Sequence, residues 1–119
     1  LYADGNSGIG DYGIRLVNLR ELHSDDNPKI TNVNHMDKLQ VLYVGGNCGI
    51  GDEGIKMVNL RELDANYNRK ITNVNHMHKL QILDASWDCG INDDGIKMVN
   101  LKELRAGGNP KIIKKKLNR

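Results

Sequence analysis

Long apolar runs, an excess of one charge, cysteines and aromatic side chains are all scarce in this chain. No apolar run approaches the ~18 residues of a membrane span, which excludes a transmembrane helix from the sequence given. Lys and Arg number 17 and Asp and Glu 15 among 119 residues, a net charge of +2. Five of the basic residues sit in the final nine, "KIIKKKLNR", leaving 12 basic against 15 acidic side chains in the body, a net −3. That balance excludes a basic stripe, and with it a general nucleic-acid-binding surface. No nucleophile motif is visible, nor any loop offering the about six oxygen ligands that calcium requires. The chain is therefore not read as an enzyme, and no cofactor, metal or small-molecule substrate is expected. Aromatics are limited to four Tyr and one Trp, with no Phe, so where those five fall is informative.

What is present is repetition. "CGIGDEGIKMVNLRELDA" at residues 48–65 returns as "CGINDDGIKMVNLKELRA" at 89–106, a period of 41, and a looser copy, "SGIGDYGIRLVNLRELHS", occupies 7–24. Such a period is the signature of stacked repeats. Aligned on LxxLx[AV]xxN, units begin at Leu19, Leu39, Leu60, Leu80 and Leu101, spaced alternately by 20 and 21 residues. Leu22 and Ser24, Leu42 and Val44, Leu63 and Ala65, Leu83 and Ala85, and Leu104 and Ala106 lie two apart, describing short strands with one buried face. Asn6, Asn27, Asn47, Asn68 and Asn109 follow the strands, with Asp88 as the exception, and a ladder of asparagines is expected.

The shorter units continue with "KITNVNHM", whose Ile30, Val33 and Met36, or Ile71, Val74 and Met77, suit an inward-facing 3₁₀-like or extended run. The longer units place Asp52 or Asp93 to N-cap a short helix, with Ile55 and Val58, or Ile96 and Val99, inward. Met57 and Met98 are expected to pack as well, and His35 and His76 to be partly buried and hydrogen-bonded. Cys48 and Cys89 occupy one repeat position two layers apart. At ~4.8 Å per strand their sulfurs lie roughly 10 Å apart, beyond the about 7 Å between Cα atoms that a disulfide allows. Free buried thiols predict an intracellular, reducing setting.

These residues carry a family resemblance: nearly the whole chain outside the basic tail resembles a leucine-rich repeat protein. The "NxGIGDEGIKMVNL" half is similar to the ribonuclease-inhibitor type of repeat, and the "NPKITNVNHM" half to the shorter internalin type. Their alternation, rich in Asn, Lys and Ile, resembles repeat proteins of giant amoebal viruses or amoeba-associated microbes. The resemblance implies an α/β solenoid, a right-handed superhelix with a parallel sheet on the concave side and short helical or 3₁₀ segments on the convex side. It implies use as a recognition scaffold. The solenoid is expected over 1–112, about five and a half repeats with an open N-terminal end. A basic tail or partial cap, with Ile112, Ile113 and Leu117 folding over the last unit, is expected over 113–119. Because Leu1 falls inside a repeat, more repeats or a cap are expected before it.

If the repeated words are core and turns, function lies where the copies disagree. Side chains alternate along a strand, so the residue after the second leucine faces outward, forming a column Tyr2, His23, Tyr43, Asp64, Asp84 and Arg105. The next outward column is Asp4, Asp25, Gly45, Asn66, Ser86 and Gly107. At the strand exits come Gly5, Asp26, Gly46, Tyr67, Trp87 and Gly108. Tyr2, Tyr43, Tyr67 and Trp87 all fall on this face or its edge, and such residues are enriched where proteins bind one another. Asp64 beside Asp84 destabilises a sheet. It points either to a basic group on a partner or to relief by Arg105. His23 lies near Asp25 and Asp26, but an open face offers no pocket for acid–base chemistry. Glu21, Val41, Glu62, Ile82 and Glu103 alternate with repeat type and are assigned no role. The partner-binding candidates are Tyr2, His23, Asp25, Tyr43, Asp64, Tyr67, Asp84, Trp87 and Arg105, facing a protein with basic and apolar surface. The second expectation is a structural subunit packed permanently in a larger assembly, such as a virus particle or adaptor complex.

Overall fold

The computed structural model describes residues 1–113. Five three-residue strands, β1 (Glu21–His23), β2 (Val41–Tyr43), β3 (Glu62–Asp64), β4 (Ile82–Asp84) and β5 (Glu103–Arg105), form one parallel sheet in chain order. Tyr2 extends it by a parallel bridge to His23. Each strand is outward–inward–outward about a leucine, and Leu22, Leu42, Leu63, Leu83 and Leu104 pair in register. The chain is thus a parallel-strand solenoid with one turn every 20 or so residues. Helix is limited, among the described residues, to a single α-turn at Asp11–Ile14 and 3₁₀ turns at Asp52–Ile55 and Asp94–Ile96.

The interior is a continuous stack of aliphatic side chains. Ile30, Val33 and Met36 are fully buried, as are Ile71, Val74 and Met77, while Ile55 and Ile96 fill the alternate layers. Successive bonds from Met36 N to Val33 O and from Leu39 N to Met36 O make the 3₁₀-like turns expected of the shorter units. Met57 and Met98, expected to pack, are instead 71% and 67% exposed, in line with Leu16 at the equivalent position. Their side chains leave the core because Val58 and Val99, one residue on, take the inward place.

The asparagine ladder also differs from expectation. Asn27, Asn68 and Asn109 are buried, and Asn68 Nδ2 donates to Val44 O and Ile50 O while its Oδ1 accepts from Lys70 N. Asn6 and Asn47 are exposed, as is Asp88. The longer unit spends its extra residue here, so the interior place passes one position along to Cys48 and Cys89, while Ser7 at the equivalent position is exposed. Ser7 Oγ accepts from Ile9 N, the same i+2 bond that Asn68 makes. Amide and thiol layers therefore alternate. Asp88 breaks no ladder; it is a surface residue paired with Arg69 at 3.0 Å. Both cysteines are free and buried, and burial pushes the Cys89 thiol up to about 11.

The aspartates expected as helix caps bond across layers instead. Asp52 makes no cap and accepts from Thr72 N at 2.8 Å, Thr72 Oγ1 and Asn73 N of the following turn. Asp11 does the same with Thr31, and Asp93 accepts from Ile113 N. Such turns are too short to orient a capping carboxylate, whereas the next layer presents free N–H groups within reach. His35 and His76 each hydrogen-bond a carbonyl of the preceding layer, Ile14 O at 2.9 Å and Ile55 O at 3.0 Å. Ile112 is buried but Ile113 is exposed, so Ile113 does not fold over the last unit. Leu117 and the rest of the expected tail beyond 113 lie outside the described residues.

Candidate functional site

The sheet register places Tyr2, His23, Tyr43, Asp64, Asp84 and Arg105 side by side on the outward face. The three aromatic rings at one end form a stack. His23 lies 4.4 Å from the Tyr2 centroid and 4.3 Å from that of Tyr43, the latter pair 10° from coplanar. His23 turns to Glu21 at 2.5 Å rather than to Asp25 or Asp26. Tyr43 Oη donates to Glu62 at 3.1 Å, and burial together with that carboxylate raises the tyrosine pKa. Arg105 pairs with Glu103 at 2.8 Å. The glutamate column, given no role from sequence, thus supplies partners to His23, Tyr43 and Arg105. Alternation with repeat type had disguised it as framework.

Asp64 and Asp84 stand directly opposite each other. Each folds back on its own strand end, accepting from Asn66 N at 3.1 Å and Ser86 N at 3.0 Å. Arg105, turned to Glu103, forms no ion pair with either. Burial pushes Asp64 up to about 6; the charges of Asp84 and Asp25 add to this, and the Asn66 N–H and the Arg105 charge oppose it. With Tyr43, Arg105 and their neighbours the two acids line a shallow depression of about 190 Å³.

At the strand exits the backbone is left-handed in all six layers. Gly5, Asp26, Gly46, Tyr67, Trp87 and Gly108 have φ of 55°, 57°, 65°, 63°, 62° and 74°. Glycine adopts this region freely, but a bulky side chain there costs on the order of 1 kcal/mol. Tyr67 and Trp87 nevertheless occupy it, with rings stacked at 5.9 Å and 13° and each about half exposed. The Trp87 ring lies over the next layer, where any Cβ on Gly108 would collide with it.

Beside Tyr67 is a larger groove of about 700 Å³, walled by Asp25, Asp26, Asn66, Tyr67, Arg69 and Lys70 and floored by Gly45 and Gly46. Asp25 is half buried and accepts from Gly45 N at 2.6 Å; burial raises its pKa and the charges of Asp4 and Asp26 add to this, against the Gly45 bond. Of the sequence candidates, only Asp25 and Tyr67 reach this groove. Asp26, Gly46, Arg69 and Lys70 were missed as a group, although the glycine pair Gly45–Gly46, set between side-chain-bearing Asp25–Asp26 and Asn66–Tyr67, was a visible signal. Among the described residues no cluster of three or more His, Cys, Asp or Glu is placed to hold a metal ion, and no helix is long and apolar enough to cross a membrane. No protein-family model, no curated protein and no solved structure matches the chain.

Proposed function

We propose that this chain is a leucine-rich repeat solenoid that binds another protein through the outward, concave face of its sheet. The observation that carries the reading is the Asp64–Asp84 pair, held in register with no ion pair to a basic side chain among the described residues and with Asp64 raised, chiefly by burial, to about 6. The fold loses stability by keeping two carboxylates there, and a partner's basic group restores it. Aromatic surface supports the same reading: Tyr2–His23–Tyr43 on the sheet and Tyr67–Trp87 at its edge flank the acids with exposed apolar area. The partner accordingly offers a basic group ringed by apolar side chains.

The test compares wild type with a variant carrying Tyr43→Ala, Asp64→Asn and Asp84→Asn, both confirmed folded by circular dichroism. Each is used to capture partners from lysate, followed by measurement on the purified partner. A partner held by wild type and released by the variant supports the sheet face. A partner held equally by both removes the site from it. Recovery only within a stoichiometric particle, with no exchange against free chain, favours a permanent structural subunit instead.

A further inference from the structure

The strand-exit column contains a gap. Side chains in this column lean one layer forward: the Asp26 carboxylate lies over Gly46, and the Trp87 ring over Gly108, so that a Cβ at either glycine would collide with them. Tyr67 likewise leans on Trp87. Gly46 sends nothing forward, and the face of Tyr67 turned away from Trp87 is left open to the groove. The result is a slot with a carboxylate on one side, an aromatic face on the other and glycine backbone beneath.

From this geometry we infer that the slot between Asp26 and Tyr67 seats an arginine side chain of the partner, its guanidinium stacked on Tyr67 and hydrogen-bonded to Asp26. The inference rests on the protein-binding reading above and names the basic group for a second position on the same surface.

Three observations favour this occupant. Asp26 Oδ1 accepts from Asn47 N at 2.9 Å, and Oδ2 accepts no bond among the described residues, so the carboxylate is oriented and half free. The groove's own cations already have partners: Arg69 pairs with Asp88, also on the groove wall, at 3.0 Å, and Lys70 donates to Cys48 O at 3.2 Å. Asp25, beside Asp26, is raised by burial and by neighbouring negative charge, so a cation there relieves it. A planar guanidinium is thin enough to lie between ring and carboxylate and uses both at once, through cation–π attraction and charge-assisted hydrogen bonds. An ammonium is a point charge more strongly held by water.

The probe is N-acetyl-arginine methylamide, titrated into the chain and followed by proton NMR. The expected result is a saturable upfield shift of its δ-methylene protons from the tyrosine ring current, at millimolar concentrations. The neutral citrulline analogue should give none, and the lysine analogue a weaker one. Tyr67→Leu should abolish the shift. Asp26→Asn, which keeps the bond to Asn47 N, should weaken binding about tenfold, a loss of roughly 1.4 kcal/mol. Tyr12→Leu, a remote exposed aromatic, should change nothing. No saturable shift at any concentration up to ~50 mM, a range where even binding worth about 2 kcal/mol would show, overturns the inference. So does a shift that survives Tyr67→Leu. Failure of the probe with loss of partner in the sheet-face variant removes the slot and keeps the interaction reading. Binding of the probe with partner capture unaffected by that variant keeps the slot and removes the sheet face.

Discussion

Replacing Asp64 with Asn should stabilise the protein at neutral pH and leave it nearly unchanged at pH 4. Asn preserves shape, and its carbonyl can still accept the Asn66 N–H bond now made at 3.1 Å. What it removes is the charge facing Asp84. The carboxyl titrates at about 6 in the folded chain against 3.8 without the fold, a separation of about 2 units. Between those values the native state holds a proton that the unfolded chain has released, so stability falls as pH rises through the window. At 1.36 kcal/mol per unit the full effect is about 3 kcal/mol. The side chain is only partly buried and solvent screens part of its charge, so about 2 kcal/mol is the working figure. The assay is urea unfolding of both proteins at half-unit steps from pH 4 to 7.5, plotted as their difference so that the other carboxylates cancel. At 1–3 kcal/mol per molar urea, the variant's midpoint should sit roughly 1 M higher at pH 7 and coincide with wild type near pH 4. A pH-independent difference, or wild type gaining on the variant as pH rises, would refute the raised pKa of Asp64.

Asn68→Ala strips two carbonyls and one N–H of their buried partner and should cost at least about 3 kcal/mol. Asn47→Ala, at the same letter of the repeat but on the surface, should stay within about 0.5 kcal/mol in the same melt. Tyr67→Gly exchanges backbone strain of about 1 kcal/mol for loss of a stack worth about the same; thermal unfolding should barely move while partner affinity drops. Cys48 and Cys89, buried and raised in pKa, should resist iodoacetamide in the folded chain and react at the rate of unfolding, as read by mass spectrometry.

Strand positions and the outward column were legible in the sequence because both follow from a period of two inside a period of 41. The register of Tyr2 through Arg105 comes from alignment alone, since a parallel solenoid puts equivalent residues in adjacent layers. What escaped was whatever depends on the third coordinate. The burial of Cys48 was expected, but not that the same one-residue shift turns Asn47 out to the surface, since nothing in the letters distinguishes an amide pointing in from one pointing out. Asp52 reads as a helix cap within its own unit, and only the spacing between layers shows that Thr72 is the nearer partner. Glu62 and Glu103 looked inert because their regularity is that of the framework, yet their carboxylates hold Tyr43 and Arg105. The slot over Gly46 was hidden for a different cause: it is made by a missing side chain, and absence stands out only once the neighbours lean around it.

The cross-layer bonds have a bearing on how such a chain can change in length. Asp52 meets Thr72, Asn34 meets Glu53 O and Met57 N, and Asn68 meets Ile50 O; each joins a shorter unit to a longer one. Excising a single unit would set like against like, leaving an aspartate with no threonine where a shorter unit is lost, or a buried amide facing another amide where a longer one is lost. Removing or duplicating a pair would restore every bond. Genetic insertions and deletions in this array should therefore be inherited in quanta of 41 residues, and the sheet should widen two strands at a time.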